Sequence, residues 1–122
     1  MIKEVITIDG EESVTEACRI MGEKHIGSLI VTSKGKPAGI FTERDLLSKV
    51  VLERLKLDEM KVKEYMSTPL TFVSPEFDLK EAARIMTQLK IRRLPVMKDE
   101  KLVGILTSSD ITSALAKAPL NF

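Results

Sequence analysis

The chain lacks most of what redox, metal or stacking chemistry requires. It has a single cysteine, a single histidine, no tryptophan, and aromatics at 4%. One cysteine excludes an internal disulfide and cannot by itself hold a metal cluster. Cys18 falls on an apolar helical stripe, where it reads as a small buried hydrophobe. His25 stands without a second His, a Cys or a carboxylate cluster at ligand spacing, so no metal site is expected. Charge of one sign is also missing: 19 basic and 18 acidic side chains leave a net +1. That balance speaks against a basic face for nucleic acid. No apolar run approaches the roughly 18 residues of a membrane span. The opening Met1-Ile2-Lys3-Glu4 lacks the apolar core of a signal peptide, so the expected location is the cytoplasm. Ser13 and Ser67 have no His/Asp arrangement around them. With no acid, base and nucleophile set, the chain is read as a non-enzyme without a catalytic cofactor.

What is present is a repeat. The 122 residues suit one domain, or two small lobes sharing a core, filled by Leu, Ile, Val and the six Met. Gly39-Ile40-Phe41-Thr42-Glu43-Arg44-Asp45 recurs as Gly104-Ile105-Leu106-Thr107-Ser108-Ser109-Asp110, each fixed point 65 positions on. At the same offset Glu16, Ala17, Arg19, Ile20 and Met21 fall on Glu81, Ala82, Arg84, Ile85 and Met86. Two copies are too few for a solenoid and fit a face-to-face pair better.

Each copy predicts the order β-α-β-β-α. A β-like segment at Val5 to Ile8 is followed by a capping box, Ser13-Val14-Thr15-Glu16, with Asp78 to Glu81 in its place in copy two. Val14, Ala17, Cys18 and Met21 then share one helical face, as do Leu79, Ala82, Ala83 and Met86. Leu29-Ile30-Val31 and Leu94-Pro95-Val96-Met97 read as strands, each turning through a Lys-rich hairpin into a second strand. The closing helices are expected to turn Leu46, Leu47, Val50 and Val51, or Ile111, Leu115 and Ala118, inward. Leu52 to Lys63 is expected to extend the first of them into a solvated, charged linker. The predicted fold is therefore α/β: two tandem β-α-β-β-α repeats, residues 1–60 and 61–122, related by a pseudo-twofold axis and packed through their sheets.

Four matched motifs in order, twice over, carry a resemblance. His25-Ile26-Gly27-Ser28-Leu29-Ile30-Val31, Ile91-Arg92-Arg93-Leu94-Pro95-Val96 and the two Gly-to-Asp corners resemble the CBS domain pair, or Bateman module, over nearly the whole chain. The resemblance implies a regulatory, energy-sensing module that binds AMP, ADP or ATP, in some members S-adenosylmethionine, in the cleft between the repeats. It also implies a homodimer. Carried over residue by residue, one site would use Thr42, Arg44 and Asp45 with Ser67, Thr71, Ile91, Arg92 and Pro95. The other would use Thr107, Ser109 and Asp110 with Ile6, Ile26, Gly27 and Ser28. Arg44, Arg92 and Arg93 favour a more highly phosphorylated ligand at the first. The second opens on Gly27-Ser28 without an Arg and is expected to bind weakly, take an uncharged group or stay empty.

The corner itself has two physical readings. A Thr at a helix start can serve a backbone N–H or a phosphate, and the helix end favours an anion. An Asp one turn in can accept both hydroxyls of a ribose. The same Thr-x-x-Asp is equally a plain helix cap, and the two roles can coexist.

Three functions follow. The first is an adenosine-ligand sensor that signals to a separate, unidentified protein. The second is a dimerisation or scaffold module with clefts that bind nothing. The third, an enzyme or nucleic-acid binder, lacks both a catalytic set and a basic, aromatic face.

Overall fold

Successive residues of a strand point to opposite faces; Leu29 and Val31 of the first repeat share the face that enters the core, and Ile30 between them is buried as well. The computed structural model describes residues 5–51 and 56–117. In it β1 (Thr7–Asp9) leads to helix α1 (Val14–Lys24), then to β2 (Ser28–Ser33) and β3 (Lys36–Thr42). The sheet order is β1-β2-β3, with β1 parallel to β2 and β3 antiparallel to it. Pairing of Ile8 with Val31 and of Leu29 with Phe41 puts all four on the face that α1 covers with Val14, Ala17 and Met21. Cys18 is partly buried against this cluster, and burial pushes its thiol pKa up.

After Thr42 the chain turns directly into a short helix, α2 (Glu43–Asp45), which widens into a π-helical turn over Leu46–Val50. Val50 is buried and Leu46 partly so. The expectation that Leu47 and Val51 face inward is corrected: they are 68% and 58% exposed. Each lies one residue past an inward position, Leu46 or Val50, and so falls outside the buried stripe.

The expected helical linker is also corrected. Leu57–Glu59 forms a single 3₁₀ turn and Val62–Tyr65 a one-turn helix, α3, while 52–55 lie outside the described residues. Backbone pairing explains the break: Val14 N–H donates to Met60 O at 2.8 Å and Val62 N–H to Glu12 O at 3.0 Å. These bonds hold Met60 and Lys61 extended and drop Met60 and Val62 into the first core. The charges of this stretch are partly fixed too, with Asp58 accepting from Thr15 and Lys61 and Lys63 both paired to Glu11.

The second repeat has helix α4 (Leu79–Leu89), the hairpin β4 (Arg93–Lys98) and β5 (Lys101–Thr107), and helix α5 (Ser108–Lys117). Its core gathers Ala82, Met86, Leu94, Val96, Leu106 and Ile111. Leu115, expected inward, is 58% exposed, and Ala118 lies outside the described residues.

The counterpart of β1 is reduced to one parallel bridge, Val73 with Val96. Two prolines account for the loss. In the first repeat Gly10 N–H donates to Thr32 O at 2.8 Å; Pro75 stands at the matching position and has no N–H. On the partner strand Pro95 replaces Ile30 and removes a second donor. What survives is the pair Val73 N–H to Pro95 O and Met97 N–H to Val73 O, at 3.0 and 2.9 Å.

By contacts the chain divides into two compact units, Ile6–Leu70 and a second from Thr71 onward that also takes Val5. The first unit thus runs past the boundary at 60 expected from sequence, because residues 60–67 pair with the loop before α1 and with β3.

One acid-sensitive brace follows. Hydrogen bonds and charge from Lys61 and Lys63 lower the Glu11 carboxyl from the ordinary 4.5 to about 2. A folded value below the unfolded one stabilises the fold above about pH 4.5, and that contribution is lost as pH falls through about 2. Acid titration of thermal stability should show this loss in the native sequence and a smaller one in Glu11→Gln, with the difference shrinking in high salt. Identical acid profiles would contradict it.

Candidate functional site

Both Thr-x-x-Asp corners close as caps. Thr42 ends β3 and starts α2: its hydroxyl oxygen accepts Asp45 N–H at 3.1 Å, and Asp45 Oδ2 accepts Thr42 N–H at 2.9 Å. The second corner repeats this, with Asp110 N–H to Thr107 Oγ1 at 3.1 Å and Thr107 N–H to Asp110 Oδ2 at 2.8 Å. Capping is therefore a role that both corners have.

The strand openings lie against the corners of their own repeats. Gly27 O accepts Glu43 N–H at 3.0 Å, and Arg92 O accepts Ser108 N–H at 2.9 Å. Two of the first three helix N–H groups at each corner are thus engaged within the fold. Fewer N–H groups are therefore left to an anion than a bare helix end would offer. At Gly27 a β-carbon would stand 3.3 Å from the Glu43 carboxylate, a tight contact that this exposed side chain can relieve by moving.

Around Asp45 the structure gathers more than the cap. The segment Met66–Thr68 lies along β3, with Ser67 N–H donating to Ile40 O at 2.7 Å and Ile40 N–H to Ser67 O at 3.1 Å. Gly39 permits this approach; a β-carbon there would meet Met66 Sδ at 2.7 Å and Ser67 O at 2.8 Å. The approach delivers Ser67 Oγ to Asp45 Oδ1 at 2.8 Å. Lys49 reaches the same oxygen at 2.9 Å and also donates to Tyr65 O at 3.3 Å. Asp45 is 3% exposed. Burial alone would raise its pKa, but Lys49, Ser67 and the two Thr42 donors outweigh it and hold the carboxyl below the usual range. Asp110 is half-buried, and the Thr107 N–H holds it below the usual range against a smaller burial penalty.

Thr42, Asp45 and Ser67 are thereby brought together as the sequence groups them. Arg44 is exposed on α2. Ile6 is exposed, and Ile26, Gly27 and Ser28 are half-buried at the start of β2, where Ser28 pairs with Thr42. In the second unit Thr71, Arg92 and Ser109 are exposed, Ile91 and Thr107 are half-buried, and Pro95 is buried. Sequence reasoning missed Lys49. The signal was available in Asp45-x-x-x-Lys49, the i,i+4 acid-base spacing of a helix. Among the described residues no group of three His, Cys, Asp or Glu could hold a metal. No described helix is long and apolar enough to cross a membrane.

The unequal support of the two carboxylates has a measurable consequence. Asp45→Ala strands two half-buried hydroxyls, an N–H and a half-exposed ammonium, and should cost about 2–4 kcal/mol. Asp110→Ala removes a cap and should cost about 0.5–2 kcal/mol. Urea unfolding of both variants tests this order; equal or reversed losses would contradict it.

Comparison with known proteins agrees with this architecture. The CBS domain family matches residues 1–52 and again 62–117. An uncharacterized Methanopyrus kandleri protein, MK0525, is 41% identical over 89% of this chain, which spans 57% of that protein's length. The CBS domain-containing protein YhcV of Bacillus subtilis is 31% identical over 91% of this chain and 79% of its own. Among solved structures, the hexameric CBS-CP12 protein from bloom-forming cyanobacteria superposes with a TM-score of 0.81 at 35% identity, covering 100% of this chain and 73% of that one. Matches over both repeats, by sequence and by fold, establish that the chain belongs to the CBS domain family and carries the domain twice.

Proposed function

We propose that the chain is a regulatory module that binds an adenosine nucleotide, AMP, ADP or ATP, at its Thr-x-x-Asp corners and passes the change to a partner protein. The observation that supports this most is the recurrence of one corner geometry. In each copy a single carboxylate oxygen, Oδ2, closes the cap on the Thr N–H, at 2.9 and 2.8 Å. The cap thus fixes each carboxylate at the strand-to-helix corner, where a ribose diol would bind by exchanging with donors the carboxylate already has. Arg44 and Arg92 are exposed near the corners of their own repeats, and in this reading they meet phosphates. Exposed Leu47, Val51 and Leu115 on the closing helices offer apolar surface to a second copy or to the regulated protein. A ligand changes such a contact only through its differential affinity for two arrangements of the module.

A second reading is a scaffold module that binds no nucleotide. It is favoured by the first corner, where Lys49 and Ser67 already occupy Asp45 Oδ1.

Isothermal titration with AMP, ADP, ATP and S-adenosylmethionine separates the two. A sensor gives saturable binding that weakens about ten- to hundredfold in Asp45→Ala or Asp110→Ala, since hydrogen bonds to a charged group contribute about 1.5–3 kcal/mol each. Circular dichroism checks that each variant is folded. No heat with any of the four, on folded and ligand-stripped protein, contradicts the sensor and leaves the scaffold.

A further inference from the structure

The two corners share a cap, but the lysine that stands against the first has no counterpart at the same place in the second. Each oxygen of the Asp45 carboxylate has two donors. Oδ2 takes the Thr42 N–H and hydroxyl, at 2.9 and 3.1 Å. Oδ1 takes the Ser67 hydroxyl at 2.8 Å and the Lys49 ammonium at 2.9 Å. Lys49 stands on the π-helical turn that follows Asp45, a helix irregularity often met at functional sites. The residue at its place in the second repeat is Ala114, which carries no charge.

A cis-diol can bind this carboxylate only by replacing a donor. The Thr42 N–H belongs to the helix start and cannot leave without unwinding it. Lys49 can leave: its side chain is 43% exposed and its stem is long and flexible. Leaving has a cost, because an ammonium–carboxylate pair against a buried acid is broken. A ligand that carries a phosphate offsets that cost, since the ammonium exchanges one anion for another. A neutral nucleoside offers the ammonium nothing.

We propose that Lys49 is a specificity-determining residue of the first corner: it closes Asp45 to an uncharged diol and yields to a diol that bears a phosphate. This rests on the nucleotide reading above. It goes further by naming the ligand class and the residue that selects it.

The test is titration of adenosine and AMP into the native sequence, Lys49→Met and Asp45→Asn, with Lys49→Gln in reserve should the Met variant fold poorly. Binding at this corner is the part lost in Asp45→Asn. The native corner should prefer AMP over adenosine by at least about tenfold, and Lys49→Met should reduce that ratio by about tenfold, with adenosine gaining affinity. Adenosine binding that appears only in Lys49→Met also supports the proposal. A ratio unchanged by Lys49→Met, with AMP still bound, overturns the role of Lys49 and leaves the nucleotide reading standing. No binding of either ligand to any variant overturns both.

Discussion

The first repeat hangs on one buried carboxylate. Asp45 joins the last residue of β3, the first turn of α2, the π-helical turn behind it and the segment around Ser67 through four donors. A buried charge is tolerated only when such donors surround it, and removing them leaves the desolvation uncompensated. The close approach of residues 66–68 to β3, the absence of a β-carbon at Gly39 and the placing of Lys49 are all conditions for meeting that demand. Because the strand-to-helix corner is so constrained, any ligand there works against an existing network rather than filling an unmade one.

The second repeat keeps the corner and relaxes what surrounds it. Its cap has the same lengths within about 0.1 Å, yet Ala114 replaces Lys49 and two prolines reduce the first strand to a bridge. Duplication therefore preserved the backbone geometry of the Thr-x-x-Asp turn while the counter-charge diverged. The two halves are alike in fold and unlike in electrostatics, and a regulatory module can use such a difference to treat its two corners differently.

Much of this was legible in the sequence because it depends on local rules. The stripe Val14, Ala17, Met21, the hairpin of β2 and β3, and the Thr-x-x-Asp caps follow from periodicity, turn residues and N-cap chemistry, and all are present. The capping box expected at Ser13 formed only by half: Ser13 Oγ accepts Glu16 N–H at 3.1 Å, while the Glu16 carboxylate turns to Arg19. What was missed depends on pairing at long range. Lys49 is the exception, its pairing being legible in the i,i+4 spacing to Asp45; nothing local shows, however, that Met60 and Val62 leave a helical register to complete the first core. The loss of the second β1 was written in Pro75 and Pro95, but only the pairing register reveals which donors they remove.

The most direct test of the nucleotide account is an amide correlation spectrum of labelled protein, followed through a titration with AMP. The account predicts saturable shifts centred on Thr42 to Asp45, Ser67 and Thr107 to Asp110, since these amides form or adjoin the caps that hold the two carboxylates. Saturable shifts elsewhere with these amides unmoved would place any ligand away from the corners, and a spectrum unchanged at millimolar AMP would contradict the account.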